Sequence, residues 1–215
     1  MARELGRRLG ADVEFVSYDA PGTMADAAKT GVWDVAFLGA EPTRANEIDF
    51  TPAYVEIECS YMVPAGSAIR RIEDVDRDGV RISVSARSAY DLYLTRTIRN
   101  AQLVRSEGIE ASFNRFVAEQ LDALAGLRPR LAMDVKRLPG ARILEGRFTA
   151  IQQAIGTPRG RPAGARYLRE FVEDVNAGIA AAKSATLSVI DLMGHGAAAI
   201  GKRVADADRE VSSAI

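Results

Sequence analysis

Short apolar runs alternate with amphipathic segments along most of the chain. Apolar residues at spacings of three and four predict helices at residues 23–30, 89–100, 113–121 and 127–133. The apolar runs predict strands at residues 13–17, 34–39, 57–63, 80–85, 103–105, 123–125, 142–144 and 148–155. Strands that alternate with helices are typical of α/β proteins with parallel strands, which is the fold class we expect.

Both ends of the chain are predicted to be helical. Leu5 and Leu9 share one helical face near the N-terminus, and a second amphipathic helix runs from Ala165. The Ala-rich stretch 179–200 could extend this last helix. The tail, residues 203–215, is polar, and we expect it to be a frayed helix or disordered.

The composition disfavours several classes of function. The chain has 28 basic and 29 acidic residues, and this balance argues against nucleic acid or an anionic membrane surface as the main partner. Cys59 and His195 are the single cysteine and histidine, so we expect no intrachain disulfide, metal site or cofactor. Catalysis by a Ser-His-Asp or Cys-His group would require His195 to reach a nucleophile. No apolar run approaches the ~20 residues that span a bilayer.

Four motifs follow one another along the chain. They are Gly31-Val32-Trp33-Asp34 before an apolar strand, Arg44 followed by Ile48-Asp49-Phe50-Thr51-Pro52-Ala53-Tyr54, Ile72-Glu73-Asp74-Val75 followed by Gly79-Val80-Arg81-Ile82-Ser83-Val84, and Leu121-Asp122-Ala123-Leu124. In this order and spacing they resemble the type II periplasmic binding proteins, specifically family 3, the polar amino-acid receptors of bacterial ABC importers.

The resemblance implies a type II fold with two α/β lobes joined by crossover strands. Lobe 1 would comprise residues 1–63 and 147–202, lobe 2 residues 64–146, and the tail residues 203–215. A family member is a receptor and not an enzyme: it binds a small carboxylate-bearing solute, an amino acid or an organic acid, between the lobes by hinge closure. Its partner would be the membrane permease of an ABC importer.

The resemblance also suggests which residues hold the solute carboxylate. Arg44 falls at the position of the family arginine that grips it through paired hydrogen bonds. Ser88 and the backbone N–H groups of Ala89 and Tyr90 would complete the anion site at a helix start. The alternatives are a surface arginine paired with a neighbouring acid and a simple helix cap at Ser88.

Three further residues are candidates for the site. Glu41 and Thr43 lie in the loop before Arg44, and Glu41 could accept a hydrogen bond from a solute ammonium or could be solvated. Tyr18 could pack on the solute or at the edge of the core. Trp33 is expected to be a core residue, and Arg87 a solvated neighbour of the helix start.

Two departures from the family pattern stand out. The acidic residue that would bind a solute ammonium is replaced by Leu127, which is followed by Arg128. The chain also starts inside the first helix, so we expect a signal peptide, first strand and following loop to be missing. A second copy of the chain, another chain or the Ala-rich segment could cover the gap. The family location is the periplasm, whereas the chain as written would stay in the cytoplasm.

Other interpretations stay open from the sequence. A dehydratase-like enzyme on the same fold would need a general acid or base in the cleft, where Glu41 is the acidic candidate. A ligand-sensing domain, a degenerate non-binding module and an interaction module that uses residues 179–200 are the others. For a receptor, we expect Arg44→Ala to abolish solute binding with little loss of stability.

Overall fold

The computed structural model describes residues 1–184, and their side chains up to residue 179. The chain divides into two units, one of Tyr18–Val172 and one of Met1–Ser17 with the residues from Glu173 onwards. The predictions for the tail and for the Ala-rich stretch beyond residue 184 lie outside the described residues. The lobe boundaries at residues 63 and 147 stay a prediction, because the division into units does not address them.

The described residues form α-helices and strands that alternate through the middle of the chain. The helices are α1 Ala2–Leu9, α2 Pro21–Asp26, α3 Ala89–Thr97, α4 Ile109–Ala118, α5 Arg128–Asp134 and α6 Pro162–Ser184. The strands are β1 Ala36–Gly39, β2 Ile48–Val63, β3 Arg81–Ser85, β4 Gln102–Ser106, β5 Ala123–Leu127, β6 Arg142–Ile143 and β7 Thr149–Pro158. Single 3-10 turns lie at Ala27–Lys29, Arg44–Asn46, Ile72–Asp74 and Val135–Arg137.

These strands form one sheet in the order β1-β7-β2-β5-β3-β4, and β6 pairs with the end of β2. Strand β3 runs parallel to both β4 and β5, while the β1–β7, β7–β2 and β2–β5 pairs are antiparallel. The predicted parallel α/β arrangement therefore holds for β3, β4 and β5, and the sheet as a whole is mixed.

Strand β2 is shared by two halves of the sheet. Its residues 48–59 pair with β7, and its residues 59–62 pair with β5, so the partner changes at Cys59. We call β1, β7 and the start of β2, with α2 and the turn at Arg44, the first half. The second half is β3, β4, β5 and the end of β2, with the loops and helices that connect β3 to β5.

Each half packs its own apolar cluster. In the first half, Trp33 and Leu38 are buried together with Ile48. In the second half, α4 supplies Phe113 and Phe116, which pack against β4, β5 and α5. A third cluster, built on Cys59, Tyr61 and the first turns of α3, lies where the two halves meet along β2. Burial of Cys59 agrees with its interpretation as a small core residue.

Some predicted elements are wrong. Residues 13–17 form no strand, and the Phe15 side chain is 59% exposed. Helix α2 starts at Pro21, two residues before the predicted start at residue 23. The Thr23 hydroxyl lies inside the helix and donates to the Ala20 carbonyl at 2.7 Å. Strand β2 starts nine residues before the predicted position 57, and β7 continues through Gly156 to Pro158.

Candidate functional site

Arg44 lies in a tight turn directly after β1. The Glu41 carbonyl accepts hydrogen bonds from the N–H groups of Arg44 (3.0 Å) and Ala45 (3.1 Å), which turns the chain back towards the strand end. The Arg44 side chain is buried, and its Nη1 donates to the Gly39 carbonyl at 2.9 Å. Burial lowers the pKa of the guanidinium, while the nearby charges of Glu41 and Asp26 oppose that shift.

The second donor of Arg44 crosses to the other half. Its Nη2 donates to the Arg87 carbonyl at 2.8 Å. Arg87 belongs to the loop between β3 and α3 and has a φ of 57°, a left-handed conformation that turns the chain into the helix. The arginine that the resemblance assigns to a solute carboxylate is thus bonded here to two protein carbonyls.

Ser88 caps helix α3. Its hydroxyl accepts the Asp91 N–H at 3.1 Å, and its side chain is buried. The Asp91 carboxylate in turn accepts the Arg87 N–H at 2.8 Å. The expected helix start is therefore present, and it stands beside the Arg44 guanidinium because Arg87, the residue before Ser88, supplies the carbonyl that Arg44 bonds.

The two halves touch directly at Ala89. A methyl group placed on Gly39 would lie 3.2 Å from the Ala89 Cβ, so the first residue of α3 packs against the end of β1. An ion pair between Arg87 and Asp26 of α2 joins the halves at a second point. A second cross-half ion pair joins Arg96 of α3 to Glu41.

The loop candidates Glu41 and Thr43 are also bonded to each other. The Glu41 side chain is buried, and its Oε2 accepts the Thr43 backbone N–H at 2.9 Å. The Thr43 side chain is exposed. Glu41 is therefore not the solvated loop carboxylate of the alternative interpretation.

The two tyrosine candidates have different surroundings. Tyr18 packs at the edge of the first-half cluster beside Trp33, whose Nε1 donates to the Met24 carbonyl at 2.9 Å. The Tyr90 ring is buried in the cluster between the halves, and burial raises its pKa to about 12. The structure thus brings together Glu41, Thr43, Arg44, Ser88 and Ala89, while the rings of Tyr18 and Tyr90 belong to apolar clusters.

The chain matches the family model described as bacterial extracellular solute-binding proteins, family 3, over residues 1–191. It belongs to that family. Comparison with curated protein sequences found no match.

Solved structures share the fold of this solute-binding protein. An ancestral arginine-binding protein bound to arginine superposes with a TM-score of 0.71 at 20% identity, over 82% of this chain and 80% of that one. The holo ArgBP from T. maritima has a TM-score of 0.70 at 17% identity, with 81% and 77% covered. The ancestral amino acid-binding protein AncCDT-1, a precursor of cyclohexadienyl dehydratase, gives 0.68 at 20% identity, with 82% and 77% covered. The predicted type II fold is confirmed.

Sequence reasoning missed two residues of the site in this solute-binding protein. Asp26 and Arg96 form the cross-half ion pairs, yet neither lies in a motif. Arg128, the residue that follows the departure at Leu127, lies at the connection between the halves instead. Its Nε is 3.2 Å from the Glu58 carboxylate, and its Nη2 donates to the Leu144 carbonyl at 3.3 Å.

A surface groove of about 430 Å³ lies elsewhere in the protein, along the edge strand β4. Its arginines, Arg81, Arg105 and Arg115, already pair with acidic side chains of the second half. It shares no lining residue with the site around Arg44, so it does not enlarge that site.

Within residues 1–184, no three His, Cys, Asp or Glu side chains come together as a metal site. In the same part of the chain, no helix has the length and apolar character needed to cross a bilayer. His195 lies outside the described residues.

We expect Ser88→Ala to lower the free energy of unfolding by about 1 kcal/mol, because the Asp91 N–H loses its cap. Thr97→Ala, at the exposed C-terminal end of the same helix, is the matched control and should change it by less than about 0.5 kcal/mol. Urea unfolding of the two variants measures the difference. Equal losses would show that the Ser88 hydroxyl contributes nothing as a cap.

Proposed function

We propose that the protein is a receptor for a small carboxylate-bearing solute, an amino acid or an organic acid, which it binds at Arg44 when the two halves separate and close again. The observation that carries the proposal is a buried guanidinium at the junction of the halves, beside a capped helix start. Both groups favour an anion, and they come from opposite halves.

The cross-half contacts support hinge motion as the binding step. Arg44 bonds the Arg87 carbonyl, and Arg87 and Arg96 pair with acids of the first half. A solute that reaches Arg44 must break at least one of these contacts. The apparent affinity for the solute is therefore the affinity of the open form multiplied by the fraction of molecules that are open without solute.

The chemistry of the site bears on the class of solute. Leu127 stands where the family has its ammonium-binding acid, and Glu41 is already bonded to Thr43 and Arg96. A zwitterionic amino acid would thus keep its carboxylate anchor and lack a free partner for its ammonium. The bound amino acid of the ancestral relative makes amino acids the first probes, with organic acids beside them.

An enzyme on the same fold is the second candidate, because AncCDT-1 is described as a precursor of a dehydratase. Glu41 is the acid that the sequence nominates as its catalytic group. Its hydrogen bond from the Thr43 N–H and its ion pair with Arg96 weigh against proton transfer by that carboxylate. An importer permease as partner, a periplasmic location and assembly with a second copy are part of the receptor proposal.

The test is a thermal-shift screen of the purified chain against amino acids and organic acids, with each hit measured by calorimetry. A solute at ~100 times its Kd stabilises the folded state by about 2.7 kcal/mol. Arg44→Ala should weaken binding of every hit more than about tenfold, because a charge-assisted bond contributes about 1.5–3 kcal/mol. Unchanged affinity would remove Arg44 from the solute site.

The same variant carries a stability cost that the sequence did not suggest. Arg44→Ala leaves the Gly39 and Arg87 carbonyls without their donor, so we expect about 2–3 kcal/mol loss in unfolding free energy rather than little. Arg44→Lys keeps the charge and serves as the folded comparison. Arg115→Ala, on the exposed face of α4, is the control that should leave binding unchanged.

A further inference from the structure

The Glu41 carboxylate lies in a site that suits an anion. Its side chain is only 4% exposed, its Oε1 is ion-paired with Arg96, and its Oε2 accepts the Thr43 N–H at 2.9 Å. The charge of Glu41 also acts on the buried guanidinium of Arg44. The Glu41 carboxylate therefore contacts one arginine and one backbone donor, and its charge also acts on a second arginine.

This arrangement differs from an ordinary surface ion pair. A buried carboxylate is costly unless each oxygen is well bonded, and the Glu41 Oε1 makes no aligned hydrogen bond although it is close to Arg96. Arg96 is itself 46% exposed, and Glu41 is its ionic partner among the described residues. The carboxylate is thus held by charge more than by geometry, and a competing anion could replace it.

We propose that Glu41 is an internal occupant of an anion site formed by Arg96 and the Thr43 N–H, in the turn that carries Arg44, and that a solute carboxylate binds by taking its place. The inference rests on the proposed receptor function and deepens it. Glu41 then opposes binding instead of receiving a solute ammonium. Arg96 becomes a solute-binding residue that neither the motifs nor the helix start indicates.

The experiment is chemical rescue by the smallest carboxylates. Glu41→Ala removes the internal carboxylate and leaves a space beside Arg96 and the Thr43 N–H. Sodium formate or acetate at ~10 times its Kd should raise the Tm of this variant by about 3 °C above sodium chloride of equal ionic strength. The wild type should show no such excess. Glu41→Ala/Arg96→Met should lose it too.

Glu41→Gln is the matched control, because its amide fills the space without the charge and should give no formate response. If Glu41→Ala is unfolded without an anion, recovery of its far-ultraviolet circular dichroism in formate but not in chloride is the same readout. Equal responses to formate and chloride would overturn the proposal, as would an unaltered response in the double variant.

The rescue needs no identified solute, so it is separable from the test of the receptor function. Rescue without any hit in the solute screen would leave the anion site standing and count against the receptor. Hits that depend on Arg44, with no rescue, would support the receptor and show that Glu41 does not occupy the site.

Discussion

Phe116→Ala is expected to lower the free energy of unfolding by about 3–5 kcal/mol. The Phe116 side chain is 1% exposed and packs with Met62, Leu121 and Leu131 in the second-half cluster. Its removal combines the lost burial of an aromatic ring with a cavity that the sheet and α4 cannot close. Equilibrium unfolding in urea measures the change.

The adjacent residue provides the control. Val117 lies on the same helix with 40% of its side chain exposed, so Val117→Ala should cost less than about 0.5 kcal/mol. A loss for Phe116→Ala near that of the control would mean that α4 does not pack on the sheet as described.

Raising the pH from 8 to 11 is expected to destabilise the protein by an amount on the order of 5 kcal/mol. Burial raises the pKa of the Cys59 thiol to about 12 and that of the Tyr90 hydroxyl to about 12, and it raises the pKa of Tyr61 in the same direction. Each group keeps its proton more firmly when folded. Below about pH 8 all three groups are protonated in both states, and stability does not depend on them. As the pH rises past the unfolded values, about 8.5 for the thiol and about 10 for the tyrosines, the unfolded chain loses protons first, so stability falls until the pH passes the raised folded values.

Urea unfolding at a series of pH values gives the profile, and Cys59→Ala isolates one contribution. This variant lacks the thiol, so its stability should fall less steeply than that of the wild type above pH 9. Profiles that differ only by a constant offset would show that the pKa of Cys59 is the same in the folded protein and in the unfolded chain, so that burial does not raise it.

The hydrophobic pattern predicted most strands because a run of apolar residues shows within a few positions that a segment is buried. The predicted strands were wrong where strand formation or strand length depends on pairing with residues far away in the sequence. Residues 13–17 alternate like a strand, yet they form none, since a strand also requires a neighbour with free backbone groups. Strand β2 begins at Ile48, before the predicted residue 57, and includes Pro52. The sheet accommodates this proline at register irregularities between Phe50 and Val55.

The strand predicted at residues 148–155 stops just before Gly156, whereas β7 continues to Pro158. Gly156 lies inside β7, where a side chain would come within 2.5 Å of the Ile48 Cγ2. The absence of a side chain at Gly156 allows β7 to pack closely on Ile48 of β2, which is 108 positions earlier in the chain. Local sequence cannot distinguish that use from a turn.

The residues of the candidate site show the same distinction between local and distant signals. Arg44, Glu41 and Ser88 were indicated by a motif or by helix-cap chemistry, which short stretches of sequence carry. Arg96 meets Glu41 from 55 positions away, and Asp26 meets Arg87 from 61, so their partners follow only from how the two halves meet. Nothing in the sequence indicated that the Glu41 carboxylate pairs with an arginine of the protein rather than with solvent or a solute.

The shared strand β2 also sets the order in which the protein can fold during synthesis. Ala36 of β1 pairs with Gly156, 120 residues further on, and the first part of β2 pairs with the same late strand. At a synthesis rate of ~5–20 residues per second, roughly 6–24 s pass between the synthesis of these early strands and that of their partner. Strands β3, β4 and β5 lie within 47 consecutive residues and can associate meanwhile, so the middle of the chain is complete before its beginning.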